Sequence, residues 1–540
     1  MSSKEFDFVI VGAGSAGCVL ANRLSKDHRY SVALLEAGGR DTNPWIHIPV
    51  GYYRNVLNPK ITWQYGSGPE PYLDGRVVGW PRGRVLGGSS AINGLLYIRG
   101  QAQDYNVWRQ LGNVGWSFDD VLPYFKRAED QERGEDDLHG VGGPLGVSDV
   151  RMDNPICDAF VASAVAAGIP ATRDFNGPSQ EGVGYYQLTN RKGRRCSAAV
   201  AYLNPIRSRG NLSIITHFET ARVILEGKRA VAVEGLLKGQ RTQIRARREI
   251  ILCAGAIGSP QILELSGIGR GDVLQKAGVT VQHELPGVGE NLQDHYQARF
   301  IYHLDGRGSL NEVWHSNLLK VKHGLDYILK RQGLLTIGAG VVGIFAKTRP
   351  DLETPDVQFH FIPFSAEGPG KGLHDFPGVI SSVCQLRPDS RGFIHIKSAD
   401  ASVHPEIVSN YLAEENDRRV LLDAMRLNRK IVAQKPFADM IVKEYRPGSD
   451  VASDEGLMKF ARENGTTIFH PCGTAKMGTD KMAVVDPRLR VHGISGLRVA
   501  DLAITPTMPS GNTNAPAIMI GEKASDMILE DAKAQPAAAA

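Results

Sequence analysis

Three glycines, Gly12, Gly14 and Gly17, stand at GxGxxG spacing in the stretch FDFVIVGAGSAG that begins at Phe6. The chemistry such a turn can do is to hold phosphate. Gly12 permits the tight turn, Gly14 lets backbone come close to a pyrophosphate, and Gly17 lets a helix lie against a strand. The run before them, Phe6–Val11, reads as a short buried strand, and Ala16–Leu24 reads as the helix whose N-terminal N–H groups would face the phosphates. A second strand, Ser31–Leu35, leads to Glu36, 24 residues after Gly12. A carboxylate there can accept hydrogen bonds from an adenosine ribose. The unit is therefore predicted to bind a dinucleotide, and these residues alone do not separate NAD from FAD, which share the ADP half.

Two further stretches carry chemistry. Val78–Ile98 (VGWPRGRVLGGSSAINGLLYI) places Gly87, Gly88, Ser89 and Ser90 where backbone could close on a planar ring or a phosphate. Among fifteen histidines, His470 precedes a Gly-rich turn (HPCGTAKMG) near an expected domain junction. A neutral imidazole, with an ordinary pKa of about 6.5, suits proton abstraction near neutral pH.

These residues need elements to hold them. At 540 residues the chain exceeds one compact core, so two domains are expected. From Leu212 to Cys253 short β-like runs alternate with polar turns, and the last leads into a strand–turn–helix over Ala254–Gly269. Roughly 305–470 mixes strands with a polar helix near Glu414–Gln434, as in a second domain built on an antiparallel sheet. Gly496–Ala500 reads as a strand with Asp501 at its end, and a helix starts near Pro516. The closing QPAAAA is of low complexity, and no internal repeat is visible.

Composition narrows the class. The chain is 42% hydrophobic and 22% charged, with a net charge of +4 and scattered Lys and Arg, which argues against a nucleic-acid binder. No apolar run is long enough to span a bilayer, and no secretory leader is expected at the N-terminus. The six cysteines are isolated, without a CxxC pair, so neither a zinc site nor a disulfide framework is expected. A reducing cytoplasm is the simplest setting; attachment to a membrane surface stays open.

Taken together, four separated signatures resemble the glucose–methanol–choline (GMC) oxidoreductases: GAGSAG with Glu36; Gly83–Asn93; Gly255–Gly269; and the C-terminal set His470–Gly478, LRVAD and Asn512–Gly521. The resemblance covers essentially the whole chain. It implies a Rossmann-like α/β FAD-binding domain of the glutathione-reductase type (1–160, 205–304 and 479–533). An α+β substrate domain on an antiparallel sheet (161–204 and 305–478) would be interleaved with it, leaving 534–540 as a tail. The implied cofactor is FAD, and with Ile92 where some members tether it through histidine, FAD is expected to be non-covalent.

By the same resemblance, FAD would be held by Gly12, Gly14, Ser15, Ala16, Gly17, Glu36, Ala37, Arg84, Val85, Gly88 and Ser89. Asn93, Gly94 and Leu95 would lie at the isoalloxazine and Val223 at the adenine, with Ala500, Asp501, Asn512 and Thr513 completing the site. His470 would be the catalytic base, and Asn514, 44 residues later, its partner at the substrate oxygen. Phe469 beside the base suggests a partly apolar pocket. His295 in GVGENLQDH is expected to be structural, and Cys472 to serve packing. The implied activity is oxidation of a primary alcohol to the aldehyde, a dehydrogenase being preferred to an oxidase, with oxygen, a quinone or another carrier as acceptor. Choline oxidation and a cyanohydrin lyase without net redox are the alternatives. Choline would want an aromatic cage and a carboxylate; Trp63, Tyr65, Trp80, Trp314 and Phe469 are available, and ordinary core packing is the expected use of such aromatics.

Overall fold

The computed structural model describes residues 4–306, 308–368 and 371–534; the expected tail, apart from Ala534, lies outside them. Two seven-stranded sheets organise the chain. The first places parallel strands in the order 212–216, 32–36, 4–11 and 240–252. The strand Gln240–Leu252 is long enough to pair twice. Its first half runs antiparallel to Arg229–Leu237, and its last three residues run parallel to Leu497–Val499.

Val32–Glu36 is buried at every position, as a parallel strand covered on both faces must be. The helices Ser15–Leu24 and Asn514–Ala534 pack together over this sheet. Glycine makes the first crossover possible. Gly12 has φ of +100°, and a Cβ there would come 2.5 Å from the Cys253 carbonyl oxygen. At Gly17 a Cβ would come 1.9 Å from the Gly12 carbonyl oxygen, so helix and strand could not approach.

The second sheet is antiparallel throughout, in the order 441–446, 296–304, 378–385, 357–362, 342–346 and 182–185, with Thr466–Thr467 pairing beside 296–304. One face is apolar and packs with the helices Pro155–Ala166 and Glu415–Val432 in a second core that includes Phe300, Tyr302, Val383, Phe359 and Phe361. The other face looks toward the first domain.

Three expected boundaries move. Tyr296–Leu304, expected in the first unit, pairs with three strands of the second sheet. Pro155–Ala166, expected to end the first unit at 160, packs on the second core. Ala199–Leu203, expected in the substrate unit, packs on the helix Ser15–Leu24 in the first core. In each case burial partners set membership, and they are distant in sequence. All six cysteines are free and buried. Among the described residues no helix is long and apolar enough to cross a membrane, and no group of side chains could hold a metal ion.

Candidate active site

A long trough runs between the two sheets. One section lies at the Gly-rich turn and is lined by Gly12, Gly14, Ala16, Glu36 and Ala37, and further along by Gly88 and Asp501. The other section is lined by Asn93, Gly94 and Leu95 on one side, and by Phe469, His470, Asn512, Thr513 and Asn514 on the other. Ser15, Arg82, Ser89 and Leu502 line both, so the sections are continuous.

The trough fits a dinucleotide. The helix Ser15–Leu24 starts at Gly14, which offers no side-chain cap, so its first N–H groups face the trough unclaimed. Glu36 accepts from the N–H groups of Ala13 at 3.0 Å and Gly38 at 2.8 Å, which locks the turn to the second strand. Each of its oxygens keeps a further lone pair. Burial pushes Glu36 up to about 7, against those two backbone bonds. Asp501 accepts from the Gly255 N–H at 2.8 Å and the Ser259 hydroxyl at 2.6 Å, tying the C-terminal segment to the turn before the helix Gly255–Leu265. Ile92, in the wall, carries no nucleophile.

Five expected cofactor residues stand behind this surface. Gly17 lies under the turn, and Val85 and Ala500 are buried. Val223 is buried with its N–H on the Ser266 hydroxyl at 2.8 Å; its strand neighbours Phe218, Glu219 and Thr220 line the trough instead. Arg84 pairs with Glu219 at 2.8 Å and lies over Trp63 at 4.3 Å.

At the other end the protonation pattern can be derived from one carbonyl. The Leu386 carbonyl has no proton to give, so His295 Nε2 donates to it, at 2.9 Å. Burial pushes His295 down to about 4, so the ring is neutral and its Nδ1 carries only a lone pair. His470 Nδ1 lies 2.9 Å from that lone pair and must be the donor. His470 is itself held well below the ordinary imidazole range, first by burial and then by His295, His360 and Arg82. Its Nε2 is therefore bare. That nitrogen meets the Asn512 amide Nδ2 at 3.3 Å. The Asn512 Oδ1 accepts from Gln358 Nε2 at 3.0 Å, which fixes which end of the amide points at the ring.

The backbone holds the ring in place as well. The His470 N–H donates to Asp294 at 2.7 Å, and Tyr411 donates to the other oxygen of that carboxylate. Phe469, at φ of +67°, turns its carbonyl to Arg82 at 2.7 Å. Backbone of this kind is uncommon outside glycine and clusters at functional sites.

The two asparagines of this section, Asn512 and Asn514, make different contacts. Asn514 is the first residue of the C-terminal helix, and its Oδ1 accepts from the Ser15 hydroxyl at 2.7 Å. Asn512, placed by sequence among the cofactor residues, lies in the extended segment before the helix and reaches the ring. The Asn-Thr-Asn repeat holds both candidates, and only the helix start decides between them. His295, expected to be structural, touches His470 directly. Of the five aromatics considered for a cage, only Phe469 lines this section: Trp63 and Tyr65 stack beside the nucleotide section, Trp80 is in the core and Trp314 is exposed. Beside the trough, Thr62–Gly66 and Gly79–Gly83 form a β-hairpin.

Comparison with known proteins agrees with this trough. Two family models described as GMC oxidoreductase match residues 6–297 and 388–521. An oxygen-dependent choline dehydrogenase of Photobacterium profundum is 42% identical, over 99% of this chain and 94% of its own length. An alcohol dehydrogenase [acceptor] of Pseudomonas putida is 40% identical, over 97% of this chain and 96% of its own. Among solved structures, pyridoxine 4-oxidase from Mesorbium loti superposes with a TM-score of 0.87 at 30% identity, covering 98% of this chain and 99% of that one. A formate oxidase of Aspergillus oryzae gives 0.91 at 25%, covering 99% and 100%. The chain belongs to the GMC oxidoreductase family, and is an FAD-dependent oxidoreductase acting on CH–OH donors.

Proposed function

We propose that His470 is the base in oxidation of a primary alcohol to its aldehyde, with Asn512 holding the substrate oxygen. The observation that carries this reading is the bare His470 Nε2, fixed by the Leu386–His295–His470 chain and open to the cavity. The hydroxyl proton passes to Nε2. The Asn512 amide donates to the oxygen that becomes the carbonyl, and its geometry is set beforehand by Gln358. FAD, when bound, takes the carbinol hydrogen with its electron pair, so the alcohol loses two electrons and two protons in all. The helix that begins at Asn514 turns its positive end toward this section, where negative charge would grow on the reduced ring.

Reoxidation by a carrier rather than oxygen is the preferred reading; the Pseudomonas putida relative is named for an acceptor. Several relatives are named for choline. Among the described residues no aspartate or glutamate lines the His470 section to pair with a quaternary ammonium, although Tyr52, Tyr53, Phe364 and Phe469 do line it. The test is anaerobic mixing of the holoenzyme with an alcohol panel. Bleaching of the flavin with one aldehyde formed per flavin supports oxidation; turnover of a cyanohydrin with the flavin left oxidised would replace it with a lyase. Mixing the reduced enzyme with oxygen then separates the acceptors.

A further inference from the structure

The polar face of the second sheet forms one wall of the His470 section, and it carries a positive charge that no described residue pairs with. Arg299, in the strand Tyr296–Leu304, stands opposite Ser382, and Ser382 stands opposite His360 in the next strand. Residues paired this way share a sheet face, with Cβ atoms about 5 Å apart. All three line the cavity, as does Gln297, two residues before Arg299 on the same face. Ala298 and Phe300 between and beyond them face the second core.

The Arg299 side chain makes no ion pair and no hydrogen bond among the described residues. Arg82, the other arginine of this section, is engaged with the Phe469 carbonyl. Two more polar atoms of this cavity lack a partner: His360 Nδ1 on the same wall, and the Tyr52 hydroxyl from the short helix Tyr52–Asn55, both buried. These groups sense one another. Burial lowers Arg299 while Tyr52 and Tyr53 act against that, and Arg299 adds to the burial that pushes His360 down to about 3. A guanidinium keeps its proton in a protein, so this is a desolvated cation beside two unmet hydrogen-bonding atoms. A carboxylate meets that need, accepting two N–H groups from the guanidinium fork and one O–H from tyrosine.

The geometry points to an anion-binding subsite, Arg299 with Tyr52 and His360, that selects alcohols bearing a carboxylate or similar oxyanion at the end remote from the hydroxyl. It rests on the alcohol-oxidation reading above and names the substrate class of that same site. Choline is disfavoured by the same wall, because its quaternary ammonium would face an unpaired guanidinium and find no carboxylate.

The test is anaerobic stopped-flow reduction of the holoenzyme flavin by ω-hydroxycarboxylates of three to six carbons, the 1-alkanols of matching length, and choline. The best hydroxycarboxylate is expected to exceed its alkanol and choline by at least ~10-fold in kcat/KM. In Arg299→Met the acid-to-alkanol ratio falls by ~100-fold, and Arg299→Lys recovers part of it, since an ammonium keeps the charge without the fork. A second readout needs no turnover: hexanoate perturbs the visible flavin spectrum in the parent enzyme and does so far more weakly in Arg299→Met. Equal rates for acid and alkanol, choline as the best substrate, or a ratio unchanged in Arg299→Met would each overturn the subsite while leaving alcohol oxidation standing. If no alcohol of any charge bleaches the flavin, the oxidation reading fails, and the hexanoate titration still decides the anion site by itself.

Discussion

The two sheets meet at one trough but commit their residues differently. In the first, function sits at the ends of strands and in the turns that follow them: Gly12 and Gly14 after 4–11, Glu36 at the end of 32–36, Asp501 just past 497–499. In the second, function sits in the middle of strands, on one face, as the cross-strand row Arg299, Ser382 and His360. Strand ends can change without disturbing a ladder, so a nucleotide site placed there keeps a short local pattern. A site on a sheet face is assembled from register, and its residues alternate with core residues that must stay. The first arrangement suits a cofactor whose shape is constant. The second suits a substrate, because changing one face residue alters the cavity without altering the core behind it.

That division is sharpest at the seam, where His470 comes from neither sheet. As proposed, it is the base for whatever the second sheet selects and the first oxidises. His470→Ala should slow anaerobic flavin reduction by ~10²–10⁴-fold, the span usual for a general base, while the flavin stays bound because its nucleotide half is held in the other section. Stopped-flow reduction beside a flavin-to-protein absorbance ratio measures both. Near-normal reduction would remove the base assignment, and loss of flavin would dissolve the distinction between the two regions.

The same contrast explains what the sequence could disclose. The GxGxxG turn, Glu36 and the buried runs around them are local, and each appears where it was expected. The sequence does not disclose which unit holds the strand Tyr296–Leu304, because its membership depends on pairing with 378–385 and 441–446, which no local signal reports. Which asparagine meets the His470 ring is not legible in the Asn-Thr-Asn run, because both lie within two residues of the helix start and only the fold orients their side chains. Arg299 carried no signal at all: an arginine in a half-apolar strand reads as a surface residue until three strands are put in register.

His295 offers the next test, since it acts on His470 without lining the cavity. His295→Phe removes the lone pair that sets the His470 tautomer and should cost ~10–100-fold in flavin reduction, the scale for a group that orients another ring. His295→Gln, which can still accept from His470 and donate to Leu386, should recover much of that; a role in packing alone would predict no such rescue. The pH profile gives a second reading. Because burial lowers the pKa of His470, reduction should stay flat as pH falls through 6.5, with its acid limb below. Stability follows from His295. Its folded pKa of about 4 lies below the ordinary 6.5, so the unfolded chain binds the extra proton between those values. Stability from this group is therefore complete above 6.5 and falls as pH drops toward 4, by about 3 kcal/mol at the limit. Thermal unfolding of the parent and of His295→Gln at pH 7 and pH 5 measures it: the variant should lose less on acidification.

The smallest effect expected separates two asparagines two residues apart. Asn512 donates toward His470 and, as proposed, toward the substrate oxygen, while Asn514 accepts from Ser15 at the Gly-rich turn. Losing one hydrogen bond near a reacting oxygen costs about 1–2 kcal/mol, so Asn512→Ala should slow flavin reduction by ~10-fold with cofactor content unchanged. Asn514→Ala should do the reverse, weakening FAD retention several-fold while the enzyme that keeps its flavin is reduced at nearly the parent rate. The pair tests the comparison at its finest grain, because both side chains line the His470 section while one reaches the ring and the other ties back to Ser15 at the Gly-rich turn. If Asn514→Ala proved the slower to be reduced, the helix start would be shifted by half a turn from where it lies here, and the partner of His470 would be Asn514 after all.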